Sequence, residues 1–190
     1  MQMSDEIRIE APREKVYAAL NDPEILKRAI PGCEEMERIS DTELIAVAVI
    51  KIGPVKAKFK GQVTLSDIDP PNGYTITGEG TGGAAGFAKG GAKVSLIEDG
   101  DATILRYEVQ ADVGGKLAQV GGRLIEGTAK KLAADFFAAF SEAVADTEEK
   151  PAPGKDAAAA AAGIEAVNTK VLVIGGMLGL IILYFVISAL

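Results

Sequence analysis

The N-terminal part of the chain carries apolar and polar positions in patterns typical of short secondary-structure elements. Residues 7–11 alternate apolar with charged side chains and predict a strand. Residues 12–21 and 22–30 predict two short helices, because each stretch begins at a proline-containing start signal and has apolar residues on one side. Pro31-Gly32 ends the second helix.

A long β region follows these helices. Apolar residues alternate strictly with Lys, Gln, Thr and Ser from Val55 to Ser66, whereas Leu44–Ile52 is apolar on both faces. Turn sequences at 69–73 and 98–101 separate further strands, the last of which directs Tyr107 inward. The pattern predicts an antiparallel meander with one buried and one solvated face.

After Gly114-Gly115 the spacing of apolar residues changes from two to three or four, which predicts a long amphipathic helix to about Val144. The apolar stripe expected to face the sheet comprises Leu117, Val120, Leu124, Thr128, Leu132, Phe136 and Phe140. The order of elements predicts an α+β fold, a helix-grip, in which a curved antiparallel sheet surrounds a long C-terminal helix.

The predicted domain comprises residues 1–146, and the residues after it differ from it in composition. Residues 147–170 are rich in Pro and Ala and predict a linker, because they cannot bury a core of their own. Residues 171–190 hold no charged side chain and, as a helix, would span ~30 Å, so they predict a transmembrane tail anchor.

The topology follows from the charges beside this segment. Lys150, Lys155 and Lys170 precede it and no basic residue follows, while the N-terminus lacks the basic and apolar regions of a secretory signal. We therefore expect a single-pass protein of the cell membrane with its N-terminal domain in the cytoplasm.

Net charge narrows the range of partners. The chain carries a formal charge of −7, and its first 145 residues hold 17 basic against 22 acidic side chains. An acidic domain is not expected to bind nucleic acid, since phosphate binding draws on clustered cations. Nor does this net charge predict attraction to anionic lipid, so the tail is expected to supply the membrane attachment.

The residue types present exclude several kinds of catalytic site. The sequence contains no His and a single Cys, Cys33, which excludes Ser-His-Asp triads, His-ligated zinc and intrachain disulfides. Acid pairs such as Glu34-Glu35 and Glu148-Glu149 are typical of solvated surface, and Cys33 is expected to be a packing residue. We predict no catalytic residue and no metal site.

Glycines are the most informative feature of the β region. Residues 73–91 include eight glycines, which either curve the strands or open an apolar cavity beneath the helix. A formal G-x-G-x-x-G at Gly78–Gly83 lacks the helix that a dinucleotide site needs. The expected lining of a cavity is Phe59, Phe87, Tyr107, Leu117, Val120, Leu124, Phe136 and Phe140. Tyr17, Tyr74 and Tyr107 are candidate donors to a ligand carbonyl, with Tyr107 favoured by its inward position.

Four stretches resemble the carbon monoxide dehydrogenase G-subunit family of the START-like (SRPBCC) superfamily. They are NDPEILKRAIPGCE (21–34), KIGPVKAKFKGQV (51–63), GEGTGGAAGFAKGGAKVSL (78–96) and GGKLAQVGGRLI (114–125). The resemblance implies a partner of the molybdenum carbon monoxide dehydrogenase type, recruited to the membrane. It also implies a non-covalently bound quinone, menaquinone or ubiquinone, or another lipid. The family is not defined by catalytic residues.

Three functions remain open on the sequence alone. The first is a tail-anchored quinone or lipid carrier, the second a cyclase-like or hydrolytic enzyme that uses the same cavity, and the third a membrane adaptor with a filled core. The lack of His and of clustered ionisable groups at inward positions favours the carrier, because acid–base catalysis needs groups with tuned pKa values.

Overall fold

One sheet of seven antiparallel strands forms the framework of the molecule. The computed structural model describes residues 2–146. The strands are β1 (Gln2–Ile9), β2 (Cys33–Arg38), β3 (Glu43–Ile52), β4 (Val55–Asp69), β5 (Gly73–Thr81), β6 (Phe87–Asp99) and β7 (Ala102–Gly114). Their order is β1-β7-β6-β5-β4-β3-β2, so the predicted meander is confirmed, with β1 added at one edge.

Two short helices connect the edge strands β1 and β2. Helix α1 (Arg13–Ala19) follows Pro12, and α2 (Pro23–Ala29) has Asp22 as its N-cap residue. The Asp22 carboxylate accepts a 2.9 Å hydrogen bond from the Glu24 backbone N–H, and Pro23 occupies the first helical position, where no amide hydrogen is needed. The start signal in the sequence is therefore the physical start of α2.

The long helix α3 (Gly122–Asp146) begins five residues later than the spacing of apolar residues predicts. Gly115 and Gly121 adopt φ values of +79° and +97°, which side chains disfavour, so the helix cannot extend back through them. Leu117 therefore precedes a single 3-10 turn, Ala118–Val120, and is not part of α3. The buried residues of α3 are Ile125, Ala129, Ala133, Phe136, Phe137, Phe140, Ala143 and Val144.

The core lies between the inner face of the sheet and the three helices. Inner-face residues alternate along each strand with exposed ones, as in β4, where Phe59 and Val63 are buried and Lys58 and Lys60 are exposed. Helix α3 packs most closely on α2, with further contacts to α1 and β3. The result is an α+β fold with a curved antiparallel sheet and a long C-terminal helix.

Three connections lie at one end of the sheet, which we call the mouth: the turn at Gly53-Pro54, the loop 82–86 and the segment 115–121. The Leu117 N–H donates to the Ala85 carbonyl over 3.0 Å, which ties two of them together. Helix α3 begins at the mouth.

The predicted linker and the predicted membrane span fall outside the described residues. Within residues 2–146, no helix combines the length and the apolar character needed to cross a bilayer.

Candidate functional site

Small residues occupy adjacent positions on the inner face near the mouth. Strand register places Gly61 opposite Gly80 and Gly80 opposite Ala88 in one row across β4, β5 and β6. The next row holds Gly78 opposite Gly90. The inward glycines of three strands thus coincide in register, bordered by the side chain of Val63 opposite Gly78 and by the ring of Phe59 over Gly82.

The facing wall, provided by α3, is also made of small residues at this level. Ala129 and Ala133 are buried one helical turn apart, after Ile125 near the start of the helix. Helix and sheet therefore face each other across a region with little side-chain bulk on either side. Such a region suits an apolar ligand better than a polar one.

Aromatic rings fill the interior further from the mouth. Tyr107 of β7 stacks on Phe137 of α3 with ring centroids 5.6 Å apart. Phe136 lies edge-on to Phe137 at 5.0 Å and stacks on Phe140 at 5.6 Å. These contacts close the far half of the interior, so the glycine rows near the mouth are the better candidate site.

A cleft of about 480 Å³ opens at the surface between the end of β7 and the start of α3. Its lining is Gln2, Ala111, Asp112, Val113, Ala118, Gly122, Ile125 and Glu126. Asp112 and Glu126 supply its charged edge, and the hydrogen bond from Lys130 lowers the pKa of Glu126. The cleft therefore has polar side chains at its rim and apolar ones, such as Val113 and Ile125, in its walls.

Most of the lining residues expected from the sequence lie in the interior. Phe59, Tyr107, Leu117, Phe136 and Phe140 are buried, and Val120 is half-buried. Phe59 lies against Gly82 of the loop 82–86, where a side chain would collide with its ring. Tyr107, Phe136 and Phe140 belong to the aromatic contacts of the far half, whereas Phe59 and Leu117 lie beside the loop 82–86 at the mouth.

The prediction that Phe87 lines the cavity is wrong, because Phe87 lies on the outer face of the sheet. It is 50% exposed, and its ring covers Gly114 on the neighbouring strand. The register set by the loop 82–86 turns Ala88 inward instead. Phe87 therefore cannot line a space beneath α3.

The prediction that Leu124 lines the cavity is also wrong. Leu124 is 45% exposed, and its side chain lies against Gly53 at the mouth. Because α3 begins at Gly122, the inward row near its start is Ile125, Ala129 and Ala133. Leu124 thus belongs to the rim of the mouth.

Sequence reasoning missed the small residues that form the walls. Ile125, Ala129 and Ala133 recur every four residues, which is itself a helical period. The predicted apolar stripe instead ran through the larger Leu124 and Leu132, one position away from these buried residues. Ala88 was missed because alanine gives a weak signal in an alternating strand.

The buried tyrosine hydroxyls are hydrogen-bond donors. Burial raises the pKa of Tyr107 to about 12 and holds the pKa of Tyr74 well above its usual range, so both hydroxyls keep their protons at neutral pH. The Tyr74 hydroxyl has no hydrogen-bond partner among the described residues, and the Tyr17 ring lies edge-on to Tyr74 at 6.2 Å. A buried donor without a partner is costly unless something accepts its hydrogen bond.

The outer face carries two further grooves, of about 680 and 540 Å³, which share Ile45 and Lys60. Phe87 lines the second of them. Strand β3 is apolar on both faces, and its outward residues Ile45 and Val47 form part of the floor of these grooves.

Ionisable groups are sparse in the interior. Over residues 2–146, no three Asp, Glu, Cys or His side chains cluster as metal ligands. Among residues 2–146, Thr103 is buried and polar, as Tyr74 and Tyr107 are. Its hydroxyl donates a hydrogen bond to the Ala11 carbonyl over 2.7 Å. Burial raises the pKa of the half-buried Cys33 thiol, which makes a reactive thiolate less available.

Solved structures share this fold. A conserved protein from Geobacillus kaustophilus is 33% identical over 77% of this chain and 97% of its own, with a TM-score of 0.73. A START superfamily protein from Mycobacterium smegmatis is 16% identical over 77% of this chain and 95% of its own, with a TM-score of 0.52. The Zhui aromatase/cyclase from Streptomyces sp. R1128 is 11% identical over 78% of this chain and 96% of its own, with a TM-score of 0.55. These last two likenesses concern the fold alone.

No curated protein matches the chain. The model of the carbon monoxide dehydrogenase G-subunit (CoxG) family matches residues 6–145, which is the whole sheet and α3 apart from their outermost residues. The resemblance of the four sequence stretches is therefore confirmed, and the chain belongs to the CoxG family.

Proposed function

We propose that this protein holds a quinone or another membrane lipid between α3 and the sheet, and that it couples a cytoplasmic molybdenum oxidoreductase of the carbon monoxide dehydrogenase type to the respiratory membrane. The apolar residues 171–190 are proposed as its tail anchor. A bound quinone would accept the electrons that such a partner releases.

The observation that carries the proposal is the coincidence of small residues on both walls. Gly61, Gly80 and Ala88 in one row and Gly78 and Gly90 in the next lie on the face toward α3, whose buried Ala129 and Ala133 are also small. The adjoining cleft of about 480 Å³ is within the range of small-molecule sites.

The chemistry of the interior fits a quinone or an ester lipid. Both ligands are mostly apolar, as the walls are, and their carbonyl oxygens accept hydrogen bonds. The apolar walls would exclude water from the remainder of the ligand. Tyr74 lies in the same row as Tyr107, six residues or ~20 Å along β5 from Gly80, so the tyrosines border the aromatic half of the interior and not the glycine rows.

An enzyme of the cyclase type is the second candidate, since an aromatase/cyclase shares the fold. Its support is weaker, because Tyr74 and Tyr107 have raised pKa values and so make poor general bases at neutral pH. Among the described residues no Asp or Glu is buried to act with them as a base.

Respiration on the substrate of the partner enzyme tests the proposal in cells. We compare the full chain with a chain ending at Asp146 and with Ala129→Leu, which adds bulk to the proposed binding wall. Ala138→Leu is the matched control, because Ala138 is an exposed alanine of the same helix. At equal protein levels, both the shortened chain and Ala129→Leu should lower the rate, while Ala138→Leu should not. Equal rates in all four strains would contradict the proposal.

A further inference from the structure

The two ends of the sheet differ sharply in charge. The three connections of the mouth, taken with the residues that flank them (51–56, 81–87 and 114–123), contain four basic residues and no acidic one. The turns at the opposite end, 39–43, 67–73 and 98–102, contain seven acidic residues and no basic one. The net charge of the domain conceals this polarity, because the antiparallel strands collect alternate connections at opposite ends.

The cations of the mouth are exposed and unpaired. Lys51, Lys56, Lys116 and Arg123 are exposed, and none of them makes an ion pair within residues 2–146. The neighbouring Glu126 is paired with Lys130 over 2.7 Å. Four free cations at one end attract a surface with many negative charges.

An exposed apolar side chain lies among these cations. Leu124 follows Arg123 directly and rests against Gly53, within the turn bounded by Lys51 and Lys56. The half-buried Val120 lies beside it. Basic residues surrounding an apolar one are the combination that binds the interface of an anionic bilayer.

We propose that the mouth docks directly onto an anionic lipid bilayer. Docking would direct the start of α3 and the cleft beside it toward the membrane, so that an apolar ligand crosses little water on entry. The acidic turns at the opposite end would face away from the lipid. The domain would thus bind the membrane in one orientation, independently of any tail.

Chain length allows the mouth and the tail to reach the same bilayer. Helix α3 has 25 residues, so its end at Asp146 lies ~37 Å along the helix from the mouth. The 24 residues 147–170 can span up to about 80 Å when extended. The chain can therefore return from Asp146 to the membrane while the mouth is docked.

Co-sedimentation of residues 1–146 with lipid vesicles tests the proposal. A chain of this extent is expected to fold alone, because the Geobacillus kaustophilus relative matches over 97% of its own length within 77% of this chain. We expect binding to vesicles that contain phosphatidylglycerol, weak binding to phosphatidylcholine alone, and a decline with added salt. The variant with Lys51, Lys56, Lys116 and Arg123 all changed to Gln should lose about fivefold in binding per basic residue removed.

The matched control changes Lys27, Lys93, Arg106 and Lys131 to Gln, because these four are also exposed and lie away from the mouth. It has the same net charge as the mouth variant and should bind nearly as the wild type does. Equal loss in both variants, or no binding by the wild type, would overturn the proposal. If the wild type ignores vesicles while the mouth variant slows respiration in cells, the mouth would instead bind an acidic protein. Vesicle binding needs neither ligand nor partner enzyme, so its failure would leave the proposed function standing.

Discussion

At the scale of single residues, burial of a tyrosine ties stability to high pH. The pKa of Tyr107 rises from 10.0 to about 12 in the folded state because burial disfavours the phenolate. The folded state therefore holds this proton more tightly than the unfolded chain does. The resulting contribution is complete below pH 10 and is lost as the pH rises from 10 toward 12.

We expect Tyr107→Phe to lose less stability over that interval than the wild type does, by about 2 kcal/mol. Urea unfolding at several alkaline pH values measures the difference. Tyr17→Phe is the comparison, since burial raises the pKa of Tyr17 too but this side chain is only half-buried. Parallel pH profiles of the Tyr107 variant and the wild type would contradict the assignment of Tyr107 to a desolvated site.

The residue patterns predicted which strands are buried better than they predicted which face of the sheet each side chain lies on. Phe59 and Tyr107 lie in regular alternating strands and were placed correctly on the inner face. Phe87 was not, because the register of β6 depends on the loop 82–86, whose Gly83 and Gly86 have positive φ values that no alternation reveals. A shift of one residue in a strand exchanges its two faces.

At the scale of elements, two glycines around the start of α3 should respond oppositely to the same substitution. A Cβ atom at Gly121 or at Gly127 would meet no atom within 4 Å, so neither change is opposed by crowding. Gly121 has φ of +97°, whereas Gly127 lies within α3. The conformations therefore decide the sign.

Gly121→Ala should destabilise the domain by about 1–2 kcal/mol, and Gly127→Ala should stabilise it by about 0.5–1 kcal/mol. Chemical denaturation of both variants measures the two free energies of unfolding. A stabilising Gly121→Ala would mean that α3 begins earlier than Gly122. The same glycine explains why apolar spacing alone placed the start of the helix at Leu117: the spacing continues through a position where the backbone cannot be helical.

At the scale of the whole molecule, fold class followed from the order of elements, but charge distribution did not follow from net charge. A meander of hairpins and one long helix fix the α+β architecture once the strands are recognised. An excess of acids over the domain suggested that the domain itself has no affinity for anionic lipid. The topology instead gathers Lys51, Lys56, Lys116 and Arg123 at one end. The location of a charge in three dimensions is thus a property of the connections, not of the composition.

The central claim is that a lipid or quinone occupies the space between the glycine rows and Ala129. Native mass spectrometry of residues 1–146, purified from cells that supply membrane lipids, tests it most directly. We predict one apolar ligand per chain in the wild type and in Ala138→Leu, and strongly reduced occupancy in Ala129→Leu. The Ala129 variant should nevertheless remain folded, because a cavity absorbs volume that would cost a filled core about 1–3 kcal/mol. Protein mass alone in every sample, or full occupancy in Ala129→Leu, would contradict the claim.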